Sequence, residues 1–295
     1  MKKVLVAGAT GYLGKYVVRE FKQQGFWVRA LVRDKKKLNE QGPFGEPAVV
    51  DCPDEIFVGE VTKPDTLGMV CDGIDVVFSS LGLTRQKDGL TFQEIDFQGN
   101  KNILDQAIRA GVQKFIYVSV FNAYSMEHLA IVKAHEDFVK ALGDSGIPYT
   151  IIRPTGYFSD ISEYFKMAAS GRVYLIGNGD NRLNPIHGAD LAKVCVEAVD
   201  SLKNEIPVGG PSAFSQRKIG ELAFSILGKP PKISTIPLGL AKTAVNLMRL
   251  FSKHTAELFE FFVAGAEQDM VAPPCGTREL ATYFRELSMQ SPRKG

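Results

Sequence analysis

Three glycines at three-residue intervals stand in the run Gly8-Ala9-Thr10-Gly11-Tyr12-Leu13-Gly14. The apolar residues Val4, Leu5, Val6 and Ala7 precede it, and Tyr16, Val17, Val18 and Phe21 follow at helical spacing. The pattern predicts a strand, a glycine turn and a helix. Glycine takes positive φ and lets backbone approach a ligand, while the N–H groups and dipole at a helix start attract phosphate. A dinucleotide pyrophosphate suits that cradle, with Gly8, Thr10, Gly11, Tyr12, Leu13 and Gly14 as expected contacts. The strand-to-helix context raises the motif above an ordinary turn.

Arg33 ends a second predicted strand, Trp27 to Val32, and is followed by Asp34, Lys35, Lys36 and Lys37. In dinucleotide-binding sheets an acidic residue at this place holds a ribose 2′-hydroxyl and an arginine a 2′-phosphate. Arg33 therefore argues for NADP over NAD; Asp34 leaves some ambiguity, and Lys36 and Lys37 read as surface residues. Further along, Glu60 follows the short strand Ile56-Phe57-Val58, where its carboxylate has two readings, an adenine contact or a plain turn. Ser79, Ser80 and Leu81 follow the strand Ile74 to Phe78, and small residues there let backbone approach a cofactor. Ser119 ends the strand Phe115 to Val118, after an amphipathic helix from Ile95 to Ala110.

Strands alternating with helices at this spacing predict an α/β fold, a doubly wound parallel sheet. Ligands in such sheets sit beyond the carboxyl ends of the strands, where Gly8, Arg33, Glu60, Ser79 and Ser119 all fall. The 295 residues suffice for a full core, and 45% apolar with 23% charged residues is ordinary for a globular chain. A net charge of +2, from 35 basic and 33 acidic residues, provides no global field toward nucleic acid, so no nucleic-acid partner is expected. The four cysteines, Cys52, Cys71, Cys195 and Cys275, lack metal-ligand spacing, so no metal site is expected and a reducing compartment fits. Without a signal-like segment or a run of eighteen apolar residues, the expectation is a cytoplasmic protein with no transmembrane helix.

The phrases GATGYLG, LVRD, IDFQGNKNILDQAIRAGVQKFIYVS and IPYTIIRPTGYF resemble the atypical short-chain dehydrogenase/reductases, near their NmrA-like and isoflavone-reductase-like branch. The resemblance covers about residues 1 to 200. It implies a Rossmann domain with a nicotinamide cofactor, and a catalytic set of serine, tyrosine and a lysine four residues after the tyrosine. Lys133 matches the family lysine, but Leu129 stands where the tyrosine would be, and leucine cannot move a proton. Isoflavone-reductase-like relatives tend to keep the lysine without the tyrosine, which makes Lys133 the acid/base candidate, acting directly or through water.

Tyr124, Ser119 and His135 compete for the proton step. Tyr124 needs its loop to fold inward, and His135, two residues after Lys133, points about 200° away on an α-helix. The resemblance also places Pro154, Thr155, Tyr157 and Phe158 against the nicotinamide, whereas Arg153 has a reading as a structural anchor. It gives His187 and Asp190 a part in tying the substrate segment to the nucleotide domain, with Asp190 capping a helix.

The organisation expected is a dinucleotide-binding core over 1–150 and a substrate region over 151–295, interleaved with the core. Gly171 to Asp180 reads as a hairpin or short strand. The apolar stretch from Leu238 to Ala266 is too interrupted to span a bilayer. It reads first as a lid over an apolar substrate, then as a membrane-surface or dimer contact, the chain being a monomer or homodimer. The tail from Ser288, ending Ser291-Pro292-Arg293-Lys294-Gly295, is expected to fray. The leading functional expectation is an NADP-dependent reductase of a carbonyl or activated double bond. Two rivals stand beside it: a dinucleotide-binding redox sensor without turnover, and a sugar epimerase or dehydratase, which would need the missing tyrosine.

Overall fold

A computed structural model describes residues 1–82 and 89–290. The first strands are β1 (Lys3–Ala7), β2 (Trp27–Val32), β3 (Glu55–Val58) and β4 (Val76–Ser79), with helix α1 (Tyr12–Gln23) between β1 and β2. A π-helical segment, Gln93–Gly99, leads into α2 (Asn100–Ala110), then β5 (Lys114–Val118), α3 (Ala130–Gly143) and β6 (Tyr149–Pro154). The helix expected from Ile95 to Ala110 is therefore continuous, with its start wound as a π-helix. The chain continues through α4 (Phe158–Ala169), β7 (Val173–Ile176), β8 (Arg182–Leu183), α5 (Gly188–Glu197), β9 (Glu205–Val208) and β10 (Phe214–Ser215). It ends with α6 (Gln216–Ile226), β11 (Ile233–Ile236), α7 (Leu238–Arg249), α8 (Lys253–Ala266) and α9 (Leu280–Gln290).

Seven strands form one parallel sheet in the order β3-β2-β1-β4-β5-β6-β9, flanked by helices. This is the Rossmann-like α/β arrangement, and its strand order reverses between β1 and β4, the place where such sheets open a crevice for a ligand. The central strands are apolar on both faces because helices cover both: Val4, Leu5 and Val6 of β1 and Val77 and Phe78 of β4 are fully buried. Phe21 of α1 packs edge-on against Phe78, which fixes the first helix on the sheet.

Two compact units divide the chain. The first comprises residues 1–153 and 191–206, the second 154–190 and 207–295. In the second unit, Phe158, Phe165, Phe224, Tyr283 and Phe284 form the centre of a core drawn from α4, α6 and α9. Of the two forms expected for Gly171 to Asp180, the structure has the short strand, β7, and not a hairpin: it pairs in parallel with β11, sixty residues later in register, so its partner was invisible to local turn chemistry. Leu238 to Ala266 folds as two antiparallel helices, α7 and α8, joined by a three-residue turn and packed on a small core of Ala241, Val245, Ala256 and Val263. Among the described residues, no helix is long and apolar enough to cross a membrane. The tail expected to fray is helical through Gln290, the end of α9, and residues 291–295 lie outside the described residues.

Candidate dinucleotide site

The glycine turn sits where the sheet order reverses. Gly8 has φ +84°, and a Cβ there would meet Ser80 at 3.0–3.1 Å, so the end of β1 and the loop after β4 touch through bare backbone. The Gly11 N–H donates to the Gly8 carbonyl at 2.9 Å, closing the turn. A Cβ on Gly14 would lie 2.0 Å from the Gly8 oxygen, which no side chain tolerates; glycine at this position lets α1 rest directly on the turn. Gly11 is the N-cap of α1 and contributes no capping side chain, and no acidic residue occupies the first turn of the helix. A helix start without a side-chain cap or an acid is a place for an anion, and a buried diphosphate fits it. Leu13 is buried under the helix, so its side chain serves the fold and its backbone remains for a ligand.

At the end of β2, Arg33 and Lys35 to Lys37 are exposed. The Asp34 carboxylate accepts from the Lys36 N–H at 2.9 Å and caps a tight turn over Lys35–Leu38, so the acid in this cluster is engaged locally. At the end of β3, Glu60 pairs with Lys63 at 2.7 Å and accepts from the Thr62 hydroxyl. The Lys63 ammonium foremost, then the Thr62 hydroxyl and the Arg33 charge, hold the Glu60 carboxyl below the usual range. Glu60 is thus part of a local turn facing Arg33.

Ser79 is fully buried and donates to Asn100 Oδ1 at 2.5 Å, while Asn100 Nδ2 donates to the Asp96 carbonyl at 2.7 Å. The Ser79 hydroxyl shapes the loop through Ser80 and Leu81 rather than facing outward. Asn100 was not singled out from sequence, although a polar residue four after Asp96, inside an otherwise apolar helix stripe, was the available signal. A buried chain of polar groups lies beside it. Tyr117 Oη is 2.6 Å from His135 Nδ1, and His135 Nε2 is 3.0 Å from the fully buried Asp96 carboxylate. This chain ties β5, α3 and the π-helical segment together, and Gly82 lies against it. His135 and Lys133 occupy opposite faces of α3, as the 200° separation required.

Ser119 is buried and its hydroxyl donates to Glu136 Oε1 at 2.8 Å. Arg153 grips the same carboxylate through both terminal nitrogens, at 2.7 and 2.9 Å, and reaches the Val120 carbonyl. The hydroxyl offered from sequence as a cofactor or substrate contact is therefore held in an ion-pair network that fastens β5, β6 and α3. Tyr124 stands in a tight turn with 78% of its surface exposed. Leu129, at the tyrosine position, is the N-cap residue of α3 and is 2% exposed. Lys133 lies in the first turn of α3, its side chain 64% exposed, and its ammonium reaches both oxygens of Asp137 at 2.8 and 2.9 Å.

In the second unit, the Thr155 hydroxyl donates to the Asn184 carbonyl at 2.6 Å, and Phe158 is wedged between His187 and Tyr283. Both side chains, expected beside the nicotinamide, are committed to the core of this unit; Phe158 has no surface left for a ligand because it starts α4 pointing inward. Pro154 ends β6, and Tyr157 forms a single bridge with Ile186. Asp190 is not an N-cap: it is the third residue of α5, and it accepts from the N–H groups of Thr277 and Arg278 and from the Arg278 guanidinium. His187 Nδ1 accepts the Ala189 N–H instead. No group of three or more metal-ligating side chains occurs among the described residues.

Known proteins resemble this chain in sequence and in fold. A divinyl chlorophyllide a 8-vinyl-reductase of Cucumis sativus is 29% identical over 265 residues, 85% of this chain and 63% of the relative. The chain thus spans less than two thirds of that protein's length. A photosystem II assembly factor Ycf39 of Synechocystis is 27% identical over 253 residues, covering 84% of this chain and 75% of the relative. The structure of an NADPH-dependent quinone oxidoreductase of Escherichia coli, solved with NADPH, superposes with a TM-score of 0.76 at 19% identity, over 97% of this chain and 99% of the other. The family model described as NAD(P)H-binding matches residues 8–202, a span that starts at the glycine turn and takes in the ends of β2, β3, β4, β5 and β6, and the chain belongs to that family.

Proposed function

We propose that the protein is an NADP-dependent oxidoreductase that reduces a carbonyl or an activated double bond in an apolar small molecule. The observation that carries this reading is the glycine turn at the sheet's point of reversal, with a basic cluster at the end of the neighbouring strand and its one acid, Asp34, turned back onto a backbone N–H. The start of α1 holds the diphosphate, and Arg33 takes the 2′-phosphate as a planar fork. Bound NADPH would supply the hydride. Lys133, oriented by Asp137, holds the nicotinamide ribose and provides the proton directly or through water. The Cucumis sativus relative is a vinyl-reductase, which supports the double bond as the group reduced.

A second reading keeps the cofactor and drops the turnover: an NmrA-like dinucleotide sensor. Leu129 in place of a proton-moving tyrosine favours it, and the assembly-factor relative supports it. The two readings separate in one experiment. Purified protein is incubated with NADPH deuterated on its transferable position, together with protein-free metabolite and lipid extracts, and products are read by mass spectrometry. A deuterated product supports the reductase. Tight NADPH binding with no label transfer across the panel supports the sensor.

A further inference from the structure

The α7–α8 hairpin ends in an apolar tip that the hairpin's own packing does not use. Ala241, Val245, Ala256 and Val263 fill the seam between the two helices, with Met248 and Phe259 against them. At the turn, Leu247 is 57% exposed, Leu250 78% and Phe251 90%, on the outward end of the pair. Burying apolar side chains is the main driving force of folding, so three large ones exposed to water at one end of the hairpin need an occupant.

Charge along the hairpin identifies its chemistry. From Leu247 to His254 the chain carries Arg249 and Lys253 and no acid. The acids Glu257 and Glu260 come four and seven residues after Lys253, about 6 and 10 Å farther back along α8 at 1.5 Å per residue. The order from the tip is therefore apolar, then basic, then acidic. Arg249 pairs with Glu260, and Lys253 stands 3.7 Å from Glu257. Such exposed pairs are weak, so both cations can turn toward anions ahead of the tip. A second copy of the chain fits the patch poorly: Leu247, Leu250 and Phe251 together offer on the order of 400 Å², half the roughly 800 Å² per partner of a stable interface. A bilayer needs no such area, because a few apolar side chains enter the headgroup boundary while flanking cations meet lipid phosphates.

We propose that the α7–α8 tip docks the protein peripherally on an anionic lipid bilayer, Leu247, Leu250 and Phe251 entering the interface and Arg249 and Lys253 contacting phosphates. The proposal is independent of whether the dinucleotide site turns over. The test is co-sedimentation of the full chain with vesicles of phosphatidylcholine alone and of phosphatidylcholine with about one third phosphatidylglycerol. Binding is expected on the anionic vesicles and about 10-fold weaker on the neutral ones, falling as salt rises. The double variant Leu250→Asp with Phe251→Asp loses vesicle binding by at least about 10-fold, while its melting temperature and NADPH affinity, which report folding, stay as in the parent. Absence of binding by the parent chain, or binding that survives the double substitution, overturns the proposal. So does a parent dimer in light scattering that the substitution converts to monomer, which would make a second copy the occupant.

Discussion

Replacing Gly14 by alanine tests whether close contact between α1 and the turn builds the dinucleotide site. The new Cβ would stand 2.0 Å from the Gly8 oxygen, 2.7 Å from the Gly8 carbon and 3.0 Å from the Ala9 Cα, all backbone atoms that no rotamer change can move. Restoring a tolerable contact of about 3.0–3.4 Å requires the helix and turn to part by about 1.0–1.4 Å. Overpacking of this kind costs about 1–3 kcal/mol, and the melting temperature of a chain this size falls by about 2–4 °C for each. The N–H groups at the start of α1 move with the helix. Losing one charge-assisted bond to phosphate costs about 1.5–3 kcal/mol, or about 10- to 150-fold in Kd.

Gly11→Ala is the control, since its Cβ would meet only the Gly8 oxygen at 3.3 Å and its φ of −77° suits alanine. That variant should melt within a few degrees of the parent yet bind NADPH at least about 10-fold more weakly, because the added methyl fills the approach to the turn. Scanning calorimetry gives the stability and titration calorimetry with NADPH gives the affinity. A Gly14→Ala protein with parental melting and parental affinity would refute the packing argument. Parental affinity in Gly11→Ala would remove the pyrophosphate from this turn.

Arg33→Ala should weaken NADPH by at least about 10-fold and leave NADH nearly unchanged, as read by fluorescence titration of both; equal losses would take the 2′-phosphate away from Arg33. If the protein turns over, Lys133→Met should reduce kcat by about 100-fold or more, and Asp137→Asn by less, because it removes orientation but keeps the ammonium; a normal rate in Lys133→Met sinks the proposed proton step. His135→Ala withdraws the imidazole from the buried Asp96 carboxylate and from Tyr117, at a cost of about 2–4 kcal/mol in urea unfolding; a loss under 1 kcal/mol would mean that the chain of polar groups does not fasten α3. Burial pushes the Cys71 thiol up to about 12 and raises the Cys195 thiol further, so both stay protonated and unreactive toward a thiol reagent at pH 8, with labelling restricted to Cys52 and Cys275 until the chain is denatured.

Local pattern carried the nucleotide-binding half. The glycine intervals and the apolar runs each depend on a few neighbouring positions, and a glycine turn between strand and helix allows little else, so the parallel sheet was legible from local pattern. The roles of single side chains were not. Ser119 looked available because its partners, Glu136 and Arg153, lie 17 and 34 residues on and become neighbours only when β5, α3 and β6 assemble. Thr155 and Phe158 were offered by a motif along the chain, but side-chain direction at the start of α4 is set by the core of the second unit. Asp190 has a capping residue's type, yet its carboxylate is taken by backbone from residues 277 and 278. The division into units at residues 153, 190 and 206 likewise follows from a chain that returns to its first sheet after leaving it. What residues within a helical turn or a strand decide among themselves was therefore written in the sequence. Which polar groups meet across 17 to 90 residues, and which apolar ones are left facing outward on the α7–α8 hairpin, was decided by tertiary packing, because every buried polar group must find its partner wherever the fold brings one.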